Sequence, residues 1–225
     1  MATSFRNTLK LSLVIFGLVF FVGCKSTVEK WGREAKYSAW DMVGVEKRDL
    51  FKKEVEETKD SQKKSGEAVQ DALTQLKAMT GFKGGDAEKQ YNKYNDAYTK
   101  AEKRALEVKA NIKQVQNIAN DLFEEWEKEI EQISTPDLKE KSRTSLNSTK
   151  SKYANLEVSL KKSEAKLDPV LKKLKDHVLF LKHNLNAKAF SALTTETVKI
   201  QKDIDSLVID LNKSIAEAEK LTAEL

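Results

Sequence analysis

Residues 91–126 read YNKYNDAYTKAEKRALEVKANIKQVQNIANDLFEEW, and within them Tyr91, Tyr94, Tyr98, Ala101, Ala105, Val108, Ile112, Val115, Ala119, Leu122 and Trp126 follow one another in alternating steps of three and four. Steps averaging 3.5 residues keep one apolar seam turned toward a partner helix, so this stretch predicts a long coiled-coil helix. A second track, Phe51, Val55, Thr58, Gln62, Ser65, Val69, Ala72, Leu76 and Met79, precedes it. A third runs from Leu146 through Thr149, Tyr153, Leu156, Leu160, Ser163, Leu167, Val170, Leu174 and His177 to Leu181. It resumes after a break as Leu193, Thr197, Ile200, Ile204, Leu207, Leu211, Ser214, Ala218, Leu221 and Leu225. The expected fold is all-α, a long antiparallel coiled-coil bundle of three to four helices.

The breaks between tracks are as informative as the tracks. Gly81-Phe82-Lys83-Gly84-Gly85-Asp86 predicts a turn, with glycines free to adopt left-handed backbone and Asp86 placed to cap the next helix. Ser134-Thr135-Pro136-Asp137 predicts a second turn, with Pro136 suited to the start of a helix. Connections this short make neighbouring helices antiparallel. Pro169 falls inside the third track, where its missing N–H predicts a bend, and His183-Asn184-Leu185-Asn186 marks another. Helices of about 50 residues are about 75 Å long, which makes the body a slender rod.

The amino-terminal segment carries a different signal. Arg6 and Lys10 precede twelve apolar residues, Leu11 to Val22, and Gly23 and the lone cysteine, Cys24, follow directly. A bilayer-spanning helix needs roughly 20 apolar residues, so the segment reads as a cleaved signal peptide. The run Phe21-Val22-Gly23-Cys24 resembles the bacterial lipobox, with Phe21 departing from the commoner Leu. That resemblance implies acylation of Cys24 after removal of residues 1–23. Lys25, not Asp, follows the cysteine, which by the same resemblance directs the protein to the periplasmic face of the outer membrane. Residues 24–36 then form a lipidated tether and residues 37–225 the helical domain. Trp31, Tyr37 and Trp40 either meet the headgroup region or cap the bundle.

Composition excludes several classes of function. The chain has two prolines, eight glycines and 33% charged residues, as long solvated helices do. Loss of Arg6 and Lys10 leaves 38 basic against 35 acidic side chains, net +3, so the sequence pI near 9.0 is no argument for nucleic acid. One cysteine allows no internal disulfide, even in an oxidising compartment. The Gly81–Gly85 loop lacks the spacing and the Lys-Ser/Thr ending of a phosphate-binding loop. His177 and His183 are six residues apart, not on one helical face, and nothing completes a metal set. No catalytic residues, cofactor or metal are expected, and the protein reads as a non-enzyme.

Charge is unevenly spread. Asp121, Glu124, Glu125, Glu127, Glu129 and Glu131 crowd one end of the second track, while residues 137–188 carry thirteen basic and six acidic side chains. Lys161, Lys162, Lys172, Lys173 and Lys175 are candidates for contact with an anionic surface, set against the plainer reading of a solvated coiled-coil face.

The words Tyr37-Ser-Ala-Trp40, Val43-Gly-Val-Glu-Lys-Arg48, Gly81-Phe-Lys-Gly-Gly-Asp86, Phe123-Glu-Glu-Trp126 and Val178-Leu-Phe-Leu-Lys-His-Asn-Leu-Asn-Ala187 resemble the bacterial family called domain of unknown function 2959, over about residues 30–225. The resemblance implies an exported coiled-coil protein with no established activity. The label DNA repair ATPase, sometimes attached to such families, finds neither a Walker lysine loop nor a cytoplasmic address here. Two roles follow as expectations. One is an outer-membrane lipoprotein that serves as an envelope scaffold or interaction module for a protein partner. The other is a membrane-binding or membrane-shaping module resembling BAR domains, which use three long helices, bends and basic faces, commonly as a homodimer.

Overall fold

The computed structural model describes residues 30, 32–34, 37, 46–82, 84–223 and 225. The signal segment, Cys24, Trp31 and Trp40 lie outside these residues. The chain divides into two units, Met1–Gly44 and Val45–Leu225. In the first, Lys30, Gly32–Glu34 and Tyr37 are helical.

The second unit is an all-α bundle. Helix α1 (Lys47–Thr80) is followed by α2 (Ala87–Gln132), α3 (Pro136–Lys182), a single turn and a half of helix α4 (Ala187–Ala192), and α5 (Thr194–Thr222). Helix α2 packs on α1 and α3, and α5 packs on the same two helices from the other side. The four long helices thus alternate up and down around a square, with α1 and α3 on one diagonal. At about 1.5 Å per residue, α3 is about 70 Å long. At one end the α2–α3 turn runs past the start of α1, where Lys47 meets Glu125 seven residues before α2 ends; the other end gathers the α1–α2 turn and the α3–α4–α5 reversal.

The heptad tracks are the core of this bundle. Every residue of the first and third tracks is buried, as are those of the second from Tyr94 to Leu122 and those of the last from Leu193 to Leu221. Tyr91, Trp126 and Leu225 are half-buried where the tracks run out. The indole of Trp126 donates to Ser142 Oγ at 3.0 Å, which satisfies its N–H at the edge of the apolar seam. Phe51, Phe123 and Tyr153 meet edge to face, with ring centroids 5.6–6.1 Å apart, and close the bundle near the start of α1. Phe82 and Phe190 do the same at the opposite end, 5.7 Å apart. Tyr94, fully buried, donates its hydroxyl to the Leu174 carbonyl at 2.8 Å and so carries its polar atom into the core without leaving it unpaired.

The expected turns form with the expected residues. Asp86 Oδ1 accepts from the Lys89 N–H at 2.9 Å, and Gly85 holds a φ of +108° that a side chain would make costly. Pro136 is the first residue of α3, where its missing N–H has no intrahelical role. The break after Lys182 is a reversal: Asn186 caps α4 through the Ala189 N–H at 3.0 Å, and Leu193 hands the chain to α5. Helix α3 itself is continuous through Pro169. Pro169 and Ala165 are both exposed, so the Ala165 carbonyl, deprived of its i+4 donor, lies on the solvated side of the helix.

Candidate functional site

The charge clusters of the sequence largely cancel within the bundle. Because α2 and α3 are antiparallel, the acidic end of α2 lies beside the basic start of α3. Glu131 takes Lys139 at 2.9 Å and Arg143 at 2.7 Å, and Glu127 takes Lys150. Glu125 is paired with Lys47 of α1 at 2.7 Å. The Lys139 ammonium, helped by Arg143, holds the Glu131 carboxyl below the usual carboxylate range.

Helix α3 divides its five candidate lysines between two flanks. Toward α5, Lys162 reaches Asp210 at 2.9 Å and Lys173 reaches Asp203 at 2.5 Å. Asp210 is only 4% exposed and also takes Lys166 at 2.5 Å. Burial alone would raise its carboxyl; the two ammonium groups outweigh that and hold it low. Lys166 completes its own shell on Ser206 Oγ at 2.6 Å. Lys161 pairs along its own helix with Glu157 at 2.7 Å. Lys172 and Lys175 turn the other way, into a groove between α3 and α2, and neither has an ion pair among the described residues. Two of the five lysines are therefore uncommitted, and they stand together.

That groove, about 280 Å³, has Ala105 and Leu171 as its floor and Leu106, 63% exposed, as a wall. Lys109 crosses it to Asp168 at 2.5 Å, and Tyr98 donates to Glu102 at 2.6 Å. Burial and the adjoining Glu102 carboxylate raise the Tyr98 phenol above its ordinary range. Sequence periodicity alone did not single out Leu106, because it falls beside the heptad track. A leucine one position off an otherwise regular seam was the available signal.

A second cleft, about 350 Å³, opens between α3 and α5 at the reversal end of the rod. Leu193 and Ile200 floor it, Phe180 walls it, and Lys173, Asp176, Glu196 and Lys199 rim it. His177 lines it on the heptad seam, 9% exposed, with Nδ1 buried and without a hydrogen-bond partner. His183, at the C-cap of α3, stands apart from it in a different environment, so the two histidines do not form one site. Among the described residues no group of His, Cys, Asp and Glu is placed to hold a metal ion, and no helix is long and apolar enough to cross a membrane.

Desolvation lowers the His177 pKa below its ordinary value, and the carboxylates of Glu196 and Asp176 offset this only in part. Its imidazole is thus harder to protonate folded than unfolded. The unfolded chain takes up the extra proton first, so the stability associated with His177 is complete above about pH 6.5 and is lost as pH falls below it. Thermal unfolding between pH 7.5 and 5.5 is expected to show a falling midpoint in the wild type and a flatter profile in His177→Gln. Equal slopes in the two proteins would remove His177 from the account.

Residues 36–225 match the model of a family described as Protein of unknown function (DUF2959). No curated protein matches the chain.

Proposed function

We propose, from the premise that this chain belongs to the DUF2959 family, that it is a lipoprotein anchored through acylated Cys24 to the periplasmic face of the outer membrane. Its four-helix rod is a scaffold or interaction module for another envelope protein, not an enzyme, and needs no cofactor or nucleic acid. The observation that carries this reading is the directional build of the rod. The chain enters the bundle at Lys47, beside Glu125 of α2, while the α3–α4–α5 reversal, with its cleft and Phe180, lies at the opposite end of α1, about 50 Å away. The lipidated segment is joined to the chain ahead of α1, so the reversal is the end of α1 remote from that junction and is left for partners.

The BAR-like alternative needs a continuous basic face. The division of Lys161, Lys162, Lys172, Lys173 and Lys175 between two flanks of α3, with three of them paired, favours the interaction rod.

Replacing Cys24 with Ser is expected to abolish acylation and to move the protein out of the outer-membrane fraction as an unprocessed or soluble form. Two acyl chains suffice for stable anchoring, and the serine variant has none. A Cys24→Ser protein that is processed and fractionates like the wild type overturns the lipoprotein reading. Separately, residues 25–225 are expected neither to tubulate nor to sediment with phosphatidylglycerol vesicles at low salt. If they do both, and changing the five lysines to Gln abolishes it, the membrane-shaping role replaces the scaffold.

A further inference from the structure

The groove between α2 and α3 has a small seam residue, Ala105, in its floor. A longer side chain at Ala105 would fill part of the space between the two helices. Leu106 therefore stands beside an open channel with most of its surface in water. The acidic groups of the channel are already engaged, Asp168 by Lys109 and Glu102 by the Tyr98 hydroxyl. The basic groups are not: Lys172 and Lys175, three residues apart on one side of α3, have no ion pair among the described residues. Leu179, four residues further on the same side, is 54% exposed. The channel thus has Leu106 on its α2 wall and, along one edge of α3, Lys172 and Lys175 followed just beyond the groove by the exposed Leu179.

We propose that this groove docks an amphipathic helix of a partner protein, one that carries acidic side chains between apolar ones at helical spacing. The proposal rests on reading the protein as an interaction module and names the chemistry of its partner. Ridges three and four residues apart on α3 match the surface period of a second helix laid along the channel. Its apolar side chains cover Leu106 and Leu179, and its carboxylates meet Lys172 and Lys175, in the helix-in-groove mode. A second copy of this chain is a poor complement. Most of its own acidic run is spent, with Glu125, Glu127 and Glu131 paired to Lys47, Lys150, Lys139 and Arg143. A flat anionic membrane would reach the lysine tips and leave the channel floor unfilled.

The test uses the full-length chain in the cells that make it, with a photoreactive phenylalanine analogue in place of Leu106. Controls carry the analogue at Ile209, exposed on α5 across the bundle, and at the exposed Val158 and Val198. Irradiation is expected to join position 106 to a protein segment with acidic and apolar residues at helical spacing, and position 209 to no such segment. Lys172→Glu with Lys175→Glu should lower that adduct at least about tenfold, because reversing two rim charges turns attraction into repulsion. Circular dichroism should be unchanged, since both lysines are exposed. No adduct at 106, an adduct only to a second copy or to lipid, or an adduct indifferent to charge reversal overturns the proposal. Protein adducts at Val158, Val198 or Ile209 without one at 106 remove this groove and keep the interaction module; none at any of the four positions removes both.

Discussion

Cutting Val108, Ile112 and Val115 back to alanine together is expected to unfold the bundle at ordinary temperature. The three lie in consecutive seam positions of α2, each at most 1% exposed. Helix α2 packs against both α1 and α3, so cavities there loosen two interfaces at once. Ile→Ala in a packed core costs about 2–5 kcal/mol, and each Val→Ala adds a smaller loss of the same kind. Domains have about 5–15 kcal/mol in hand, so the triple change removes a large share of the total. The three sites are close enough to couple, and the combined loss need not equal the sum of the single losses. Ile112→Ala alone should lower the midpoint by roughly 10 °C at about 2–4 °C per kcal/mol for a chain of this size. Leu106→Ala, on the same helix but exposed, is the control and should change stability by less than about 0.5 kcal/mol. A triple variant that keeps its helicity and melts with the wild type would show that the seam is not the core.

The fold was legible because a heptad track is a local pattern with a global meaning. Thr58, Gln62, Ser65 and Ser163 could be assigned to the buried seam by phase alone, although none is apolar, and all four are buried. What phase could not supply was pairing between helices. The crowded carboxylates of α2 and the lysines of α3 read as separate charge regions until antiparallel packing sets Glu127 and Glu131 beside Lys150, Lys139 and Arg143. Asp210 sits just before the seam residue Leu211 and reads as a solvated charge; it is buried because Lys162 and Lys166 arrive from α3. The α2–α3 groove was hidden for the same reason, since Leu106 lies more than sixty residues from Lys172 and Lys175 in the chain. A track shows which face a residue occupies, and only the partner helix shows what that face meets.

The polar layer in mid-bundle carries the remaining prediction. Gln62, 0% exposed, joins two helices other than its own: its Nε2 donates to Ser163 Oγ at 3.1 Å, across the diagonal, and its Oε1 accepts from Ser214 Oγ at 2.9 Å. Ser163 passes its own hydrogen to the Leu160 carbonyl at 2.9 Å, so the donors run in one direction from α5 through α1 to α3. A large polar residue at a single seam position ties α1 to one register, because slippage would strand the amide in an apolar layer. Gln62→Ala is expected to destabilise by about 2–4 kcal/mol, since it opens a cavity and removes both bridging bonds. Gln62→Leu should behave oppositely. It fills nearly the same volume and orphans no donor, because Ser163 already uses Leu160 and Ser214 can turn to the Leu211 carbonyl, also at 2.9 Å. Replacing a buried polar contact by a well-packed apolar one is commonly neutral or stabilising, and its cost falls on specificity. Denaturant melts should therefore rank Leu at or above wild type and Ala well below it. Amide exchange along α1 should be less uniformly protected in the leucine variant than in the wild type, as expected of a helix with more than one register. If Gln62→Leu is as destabilising as Gln62→Ala, the amide contributes net stability to the bundle, and its role as a register pin is not needed to explain its presence.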